Sequence, residues 1–310
     1  MTGQAKSLNG LAGARMNLHT AVTSTDFGGS FIYVAGLPKS ASSLMWLVVS
    51  TMQEESGRAD PGKVPNVLPS PFLPLQLELM DTFRRGGVFS GHAPLTFDTN
   101  MFLRATLCRY VVHLRHPADF IVALYCHGND DRMHRFIPGY FLDRLRFDGQ
   151  ERWSYALSAI DAGLFDKDKV PIEEALSHLL RDGALFKAMA WMCDWLAYRD
   201  PVLSTVNTYE GLVTEFEDTI NKLCLFVRGQ EIDTYRLDYL KHVFIYNADE
   251  GRKKEAERYP RGWTGTVGIW KSYFNADHVA LYNDTVNRFL LCYPKAEAFA
   301  AIYGNDLFLS

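Results

Sequence analysis

No stretch of this chain approaches the ~18 uninterrupted apolar residues of a membrane-spanning helix, and residues 1–30 hold no continuous apolar run of the kind that drives secretion. A cytoplasmic protein without a membrane partner is expected. Cysteine is sparse: Cys108, Cys126, Cys193, Cys224 and Cys292 are odd in number, widely spaced and without a CxxC pair. That excludes a disulfide framework and a zinc or redox motif, and leaves reduced thiols packed as small hydrophobes. Positive charge is not in excess either. A net charge of −4 and a pI near 6.1 give no general attraction for nucleic acid, so any anion must be recognised locally. The GxxxxGK[ST] spacing of an NTPase loop is absent, which argues against ATP or GTP hydrolysis. Internal repeats and low-complexity tracts are lacking too.

What remains is 310 residues of 47% apolar content, enough to bury a large core. We read one domain over 29–310, preceded by a flexible polar arm over 1–28. Residues 31–36 form a β-branched and aromatic strand, and an apolar helix follows a Gly-Leu-Pro-Lys-Ser turn. Residues 57–74 carry five prolines and suit a long surface loop. A helix over 74–86 leads to a short strand in VFSGHAPL. CRYVVHLRHP is the clearest second strand, and ADFIVALYCHG shows helical spacing after it. Helices are expected around 153–163 and 172–180, then over ALFKAMAWMCDWLAY up to Asp200-Pro201. A strand in VLSTVNTYEGL ending at Tyr209 and Glu210 and a helix in FEDTINKLCLFVRG follow, while the charged run 247–268 suits a mobile lid or loop. Strands alternating with helices give an α/β fold, a single domain with a central, mainly parallel sheet flanked by helices. Its ligand crevice falls at the carboxyl ends of the strands.

The turn GLPKSASS is built to hold an anion. A newly opened helix leaves its first amide N–H groups without backbone partners, and its dipole adds roughly half a positive charge there. Lys39 supplies a full charge, and Ser40, Ser42 and Ser43 supply short hydroxyl donors.

Five segments, GLPKSASSLMW, SGHAP, VVHLRHPADFIVALY, W-x3-W-x13-YEGL and GTVGIWKSYF, occur in an order that resembles the sulfotransferases using 3′-phosphoadenosine 5′-phosphosulfate (PAPS). The resemblance spans 31–274. It implies PAPS as co-substrate, adenosine 3′,5′-bisphosphate as product and no metal, with GLPKSASS as a P-loop-like phosphosulfate-binding loop. Lys39 would then act at the bridging oxygen as a catalytic group, with Ser40, Ala41, Ser42 and Ser43 around the phosphate and Trp46 closing the nucleotide pocket. His92 falls at the position of the catalytic base, a role an imidazole with a pKa near its reference of about 6.5 can fill. Arg115 matches the 3′-phosphate arginine, Tyr209 the adenine contact, and Gly265 the close backbone approach to the nucleotide.

Several positions depart from the family pattern. Ala41 and Ala123 replace a usual glycine and serine, and Ser90 stands where a lysine is common. The Arg-Lys-Gly before Gly268 reads Trp263-Thr264-Gly265, so Arg261, or Arg252, Lys253 and Lys254, is expected to compensate. Glu54 and Glu55 are a backup base. Trp191 and Trp195, at i and i+4, read as core. His113, His116, His127 and His134 lie across a strand and a loop with no carboxylate cluster, so no metal site is assigned.

The activity implied is in-line transfer of a sulfuryl group to a hydroxyl or amine of a small organic acceptor, as in natural-product tailoring in secondary metabolism. Phe72, Leu73, Tyr125, Phe136, Tyr140, Phe141, Phe244, Ile245 and Tyr246 are candidate pocket walls, favouring a small molecule or acyl chain over a polysaccharide. Two alternatives stay open: sulfation of a β-hydroxyacyl chain on a carrier protein, and a degenerate, non-catalytic nucleotide-binding protein. A phosphoryl transferase lacks both its loop and a magnesium-binding carboxylate.

Overall fold

The computed structural model describes residues 31–37, 40–54, 87–91, 95, 97–128, 170–181, 183–255 and 265–310. Among the described residues four strands form one parallel sheet in the order β2-β1-β3-β4, with β1 at Phe31–Gly36, β2 at Gly87–Gly91, β3 at Arg109–Leu114 and β4 at Ser204–Thr208. Strand β1 is central, pairing Ile32–Gly36 with Arg109–His113 on one side and Phe31–Ala35 with Gly87–Gly91 on the other. Both of its faces are buried, which is why its sequence is continuously apolar rather than alternating.

The two faces feed two cores. Tyr33, Ala35, Tyr110, Val112 and Leu114 pack against α3 (Pro117–Gly128), α4 (Ile172–Arg181) and α5 (Ala184–Tyr198). Trp195 sits fully buried among Tyr33, Tyr110 and Trp191, with ring centroids 6.1, 5.6 and 5.9 Å away. The expectation that Trp191 and Trp195 are core residues holds. On the opposite face Ile32, Val34 and Val111 meet α1 (Ser42–Glu54) and α7 (Phe216–Arg228). Arg109 at the start of β3 donates to the carbonyls of Phe226 (3.0 Å) and Val227 (3.3 Å), placing a cation on the negative end of α7.

The chain reverses its winding direction between β1 and β3. The segment leaving β1 runs to β2 on one flank, and the segment leaving β3 runs to β4 on the other, so α1 and α3 splay onto opposite faces. Such a switch point opens a crevice outside the carboxyl ends of β1 and β3.

Two sequence expectations need correction. Tyr209 and Glu210 do not end β4; they open α6 (Tyr209–Thr214), because the Thr208 hydroxyl accepts from Gly211 N–H at 3.0 Å and caps a helix there. The run 247–268 is not loop throughout, since α8 extends over Thr234–Glu255. Its last turns hold Arg252, Lys253, Lys254 and Glu255, strong helix formers that need no apolar stripe to stay helical. Helix α2 (Phe97–Ala105), α9 (Trp270–Tyr273), α10 (Ala276–Cys292), α11 (Ala296–Tyr303) and a 3₁₀ turn at Gly304–Leu307 complete the described elements. The arm 1–28, the loop 57–74 and the helices around 74–86 and 153–163 lie outside the described residues, as do the pocket-wall candidates Phe72, Leu73, Phe136, Tyr140 and Phe141. Of the other wall candidates, Tyr125 is buried in the first core. Phe244 packs on Phe216 at 5.3 Å, and Ile245 and Tyr246 are exposed.

Replacing Trp195 with Ala leaves a large cavity under the sheet. Denaturant unfolding is expected to show a loss of roughly 3–5 kcal/mol.

Candidate active site

Gly36 ends β1, and the chain turns through Leu37, Ser40 and Ala41 into α1. A Cβ on Gly36 would stand 2.4 Å from Ser42 Cβ, so only glycine lets the strand end approach the helix this closely. Ser40 is fully buried; its amide donates to the Leu37 carbonyl at 3.1 Å, and its hydroxyl to the same carbonyl at 2.7 Å. A longer contact of 3.4 Å links that hydroxyl to the His113 carbonyl on β3. Here the hydroxyl closes the turn rather than pointing outward. Ala41 takes a left-handed φ of 64°, and its carbonyl accepts from the amides of Leu44 and Met45, both at 3.0 Å. That conformation favours glycine, so Ala41 carries backbone strain at the mouth of the turn. Ser42 is buried and Ser43 exposed in the first turn of α1. Trp46 is half-buried on the same helix, its indole N–H donating to the Val88 carbonyl at 2.8 Å, which docks it onto β2.

Arg115 leaves the end of β3 with 3% of its surface exposed, its guanidinium carbon 4.8 Å from the Tyr209 ring centroid. Glu210 lies alongside. One of its oxygens accepts from the His116 amide at 2.8 Å, and burial raises its pKa, opposed by that hydrogen bond and by the charges of His116 and Arg115. The His116 ring is fixed against the carbonyl of Asp306 at 2.9 Å, between the Tyr282 and Tyr303 rings. The C-terminal helices thereby brace the exit of β3.

The segment 265–270 is tied down from two sides. Asp119, fully buried in the first turn of α3, accepts from the Gly268 amide at 2.7 Å and the Trp270 amide at 3.1 Å. The Tyr209 hydroxyl donates to the Gly265 carbonyl at 2.5 Å. The same tyrosine thus touches Arg115 with its ring and the segment 265–270 with its hydroxyl.

Of the residues singled out from sequence, Ser40, Ala41, Ser42, Ser43, Arg115, Tyr209 and Gly265 are brought to the carboxyl edge, with Trp46 on the flank of α1. Lys39, His92 and Arg261 lie outside the described residues, as does Glu55. Ala123 is buried on α3, and Ser90 is buried at the end of β2. Asp119 was not singled out. An acidic residue in the first turn of a helix reads as ordinary dipole complementation, and only the fold shows its oxygens on backbone amides about 150 residues away.

No protein-family model matches the chain, and no curated protein matches it by sequence. Solved structures do match. Retinol dehydratase in complex with androsterone and the inactive cofactor PAP is similar with a TM-score of 0.51 at 14% identity, over 84% of this chain and 80% of that one. Mouse sulfotransferase SULT7A1 complexed with PAP is similar with a TM-score of 0.50 at 12% identity, over 91% and 92%. Retinol dehydratase with retinol and PAP gives 0.50 at 14%, over 86% and 83%. The chain has the α/β fold of the PAPS-dependent sulfotransferases, as the motif order implied.

Ala41→Gly relieves the left-handed strain and is expected to raise stability in chemical denaturation by about 0.5–1 kcal/mol, net of the flexibility added to the unfolded chain. Asp119→Ala orphans two amides. Hydrogen exchange at Gly268 and Trp270 should then accelerate at least tenfold while exchange in β1 stays unchanged.

Proposed function

We propose that this protein transfers the sulfuryl group of PAPS to a hydroxyl or amine of a small organic acceptor. The observation that carries the reading is the joint at Tyr209, which stacks on the buried Arg115 guanidinium and holds Gly265 of the covering segment, beside a glycine-closed turn at a helix N-terminus. These features suit a nucleotide with phosphates at both ends. The α1 amides take the 5′ anionic end, Arg115 the 3′-phosphate, and the Gly265–Ile269 backbone covers the base.

The co-substrate supplies an activated sulfuryl group whose departure leaves negative charge on the adenosine phosphate. Lys39 and the α1 N-terminus oppose that charge, and they do so more strongly as it develops, which lowers the barrier rather than only tightening binding. His92 takes the proton of the acceptor as the new O–S or N–S bond forms. Arg115 and Tyr209 fix the distant end of the nucleotide so that the reacting groups meet in line.

Androsterone and retinol, bound by the retinol dehydratase structures, are largely apolar alcohols, which supports a small hydroxyl-bearing acceptor here. A second reading has its own support. Ala123 carries no hydroxyl at the family's 3′-phosphate serine, and a chain that binds the nucleotide without turning it over would tolerate that loss.

Transfer of labelled sulfuryl from PAPS to a panel of phenols, sterols and aliphatic alcohols tests the proposal. His92→Ala and Lys39→Ala should each lower kcat by roughly a hundredfold or more. His92→Ala should leave binding of the bisphosphate product nearly unchanged. Transfer by both variants at the wild-type rate would overturn the assignment, and an inactive wild type that still binds the product would favour the non-catalytic reading.

A further inference from the structure

Two buried side chains behind the phosphate-type turn carry polar atoms that no described residue satisfies. His113 is fully buried with neither Nδ1 nor Nε2 hydrogen-bonded, and Nδ2 of Asn207, 7% exposed, is unpartnered as well. Buried polar atoms left in this state are uncommon in folded proteins and call for an explanation.

Their direction follows from the ladder. Gly36, His113 and Asn207 are register partners across β1, β3 and β4, so their side-chain positions share one face of the sheet. At Gly36 that face is marked, since a Cβ there would lie 2.4 Å from Ser42 Cβ and 3.2 Å from Ser40 Oγ. The imidazole of His113, next in line, therefore stands beside the turn and the opening of α1, with Asn207 beyond it.

Burial keeps this ring neutral, with its pKa pushed down to about 4; a weak contact with the Ser40 backbone, outside good hydrogen-bond geometry, opposes the shift and the Arg115 charge adds to it. A neutral imidazole presents one N–H and one lone pair, and the asparagine amide adds two N–H groups. The wall is thus rich in donors without carrying charge.

We propose that His113 and Asn207 are further donor-binding residues, forming the inner wall of the anion site and hydrogen-bonding to an oxygen at the 5′ anionic end of the bound nucleotide. This rests on the PAPS reading above and adds to it two binding groups to which the family resemblance assigns no role. They complement the outward-facing elements. Lys39 and the α1 dipole offset charge, while two neutral donors from the sheet side fix the orientation of the tetrahedral group without adding a second cation. Their cost in the free protein is recovered when the ligand oxygen arrives, because a charged acceptor makes the stronger class of hydrogen bond.

The test is calorimetric titration of wild type, His113→Leu, Asn207→Leu and His113→Gln with adenosine 3′,5′-bisphosphate and with adenosine 3′-phosphate, which lacks the 5′ group. The leucine variants are expected to lose about tenfold or more in affinity for the bisphosphate and to bind adenosine 3′-phosphate within about twofold of wild type. Their melting temperatures should equal or exceed that of wild type, since an apolar side chain replaces an unsatisfied polar one. His113→Gln keeps a donor and an acceptor and should stay within about threefold of wild type for the bisphosphate. Unchanged bisphosphate affinity in both leucine variants, or equal losses for both ligands, would overturn the proposal. A wild type that binds neither ligand would instead sink the PAPS reading, and this inference with it. Should the leucine variants fail to fold, imidazole ¹⁵N resonances of the wild type decide the matter. The His113 signals, assigned by their loss in His113→Gln, should shift with the bisphosphate and not with adenosine 3′-phosphate, and their failure to move would overturn the proposal.

Discussion

The contact between the end of β1 and the first turn of α1 sets the geometry of everything at the carboxyl edge of the sheet. Gly36 and Ser42 lie so close that any side chain on Gly36 would push the helix away, and the buried Ser40 hydroxyl clasps the turn onto Leu37 from within. Moving α1 outward would separate its amides from the end of β3, where Arg115 emerges. The strain at Ala41 belongs to the same constraint, because the chain must reverse sharply to bring the helix over the strand.

Around that joint the structure spends buried polar groups on holding backbone rather than on holding one another. Asp119 takes two amides of the segment 265–270, Tyr209 takes its first carbonyl, Glu210 takes the His116 amide, and the His116 ring meets the Asp306 carbonyl. Each tie joins an element of the sheet edge to one distant in sequence. The result is a preorganised rim in which the Arg115 guanidinium lies over the Tyr209 ring, with the buried Glu210 carboxyl in its electrostatic range. Such a rim limits the reorganisation that anion binding would otherwise require.

Much of this was legible in the sequence. The continuous apolar run of β1, the Pro-limited strand at VVHLRHP and the Trp191–Trp195 pair each follow from burial and period. The motif order implied the fold that similarity to solved structures shows. Other features were not legible because their cause is tertiary. Thr208 reads as a strand residue until Gly211 folds back on its hydroxyl, and residues 247–255 read as loop because a helix of charged residues shows no apolar stripe. Asp119 looks like routine helix-end chemistry. His113 looks like part of an apolar strand, and its unsatisfied ring nitrogens appear only when β1, β3 and β4 are aligned.

The ligand proposed for this edge carries both a 5′ and a 3′ phosphate, and by the family resemblance the departures at Ala123 and Trp263-Thr264 bear on its 3′ end. Calorimetric titration of the purified protein with adenosine 3′,5′-bisphosphate, run beside adenosine 5′-phosphate, addresses that ligand without knowledge of the acceptor. Binding of the bisphosphate at least tenfold tighter than the monophosphate is expected from a buried guanidinium meeting the 3′-phosphate. Equal weak binding of the two, or binding of neither, would contradict it and turn the assignment toward a different donor.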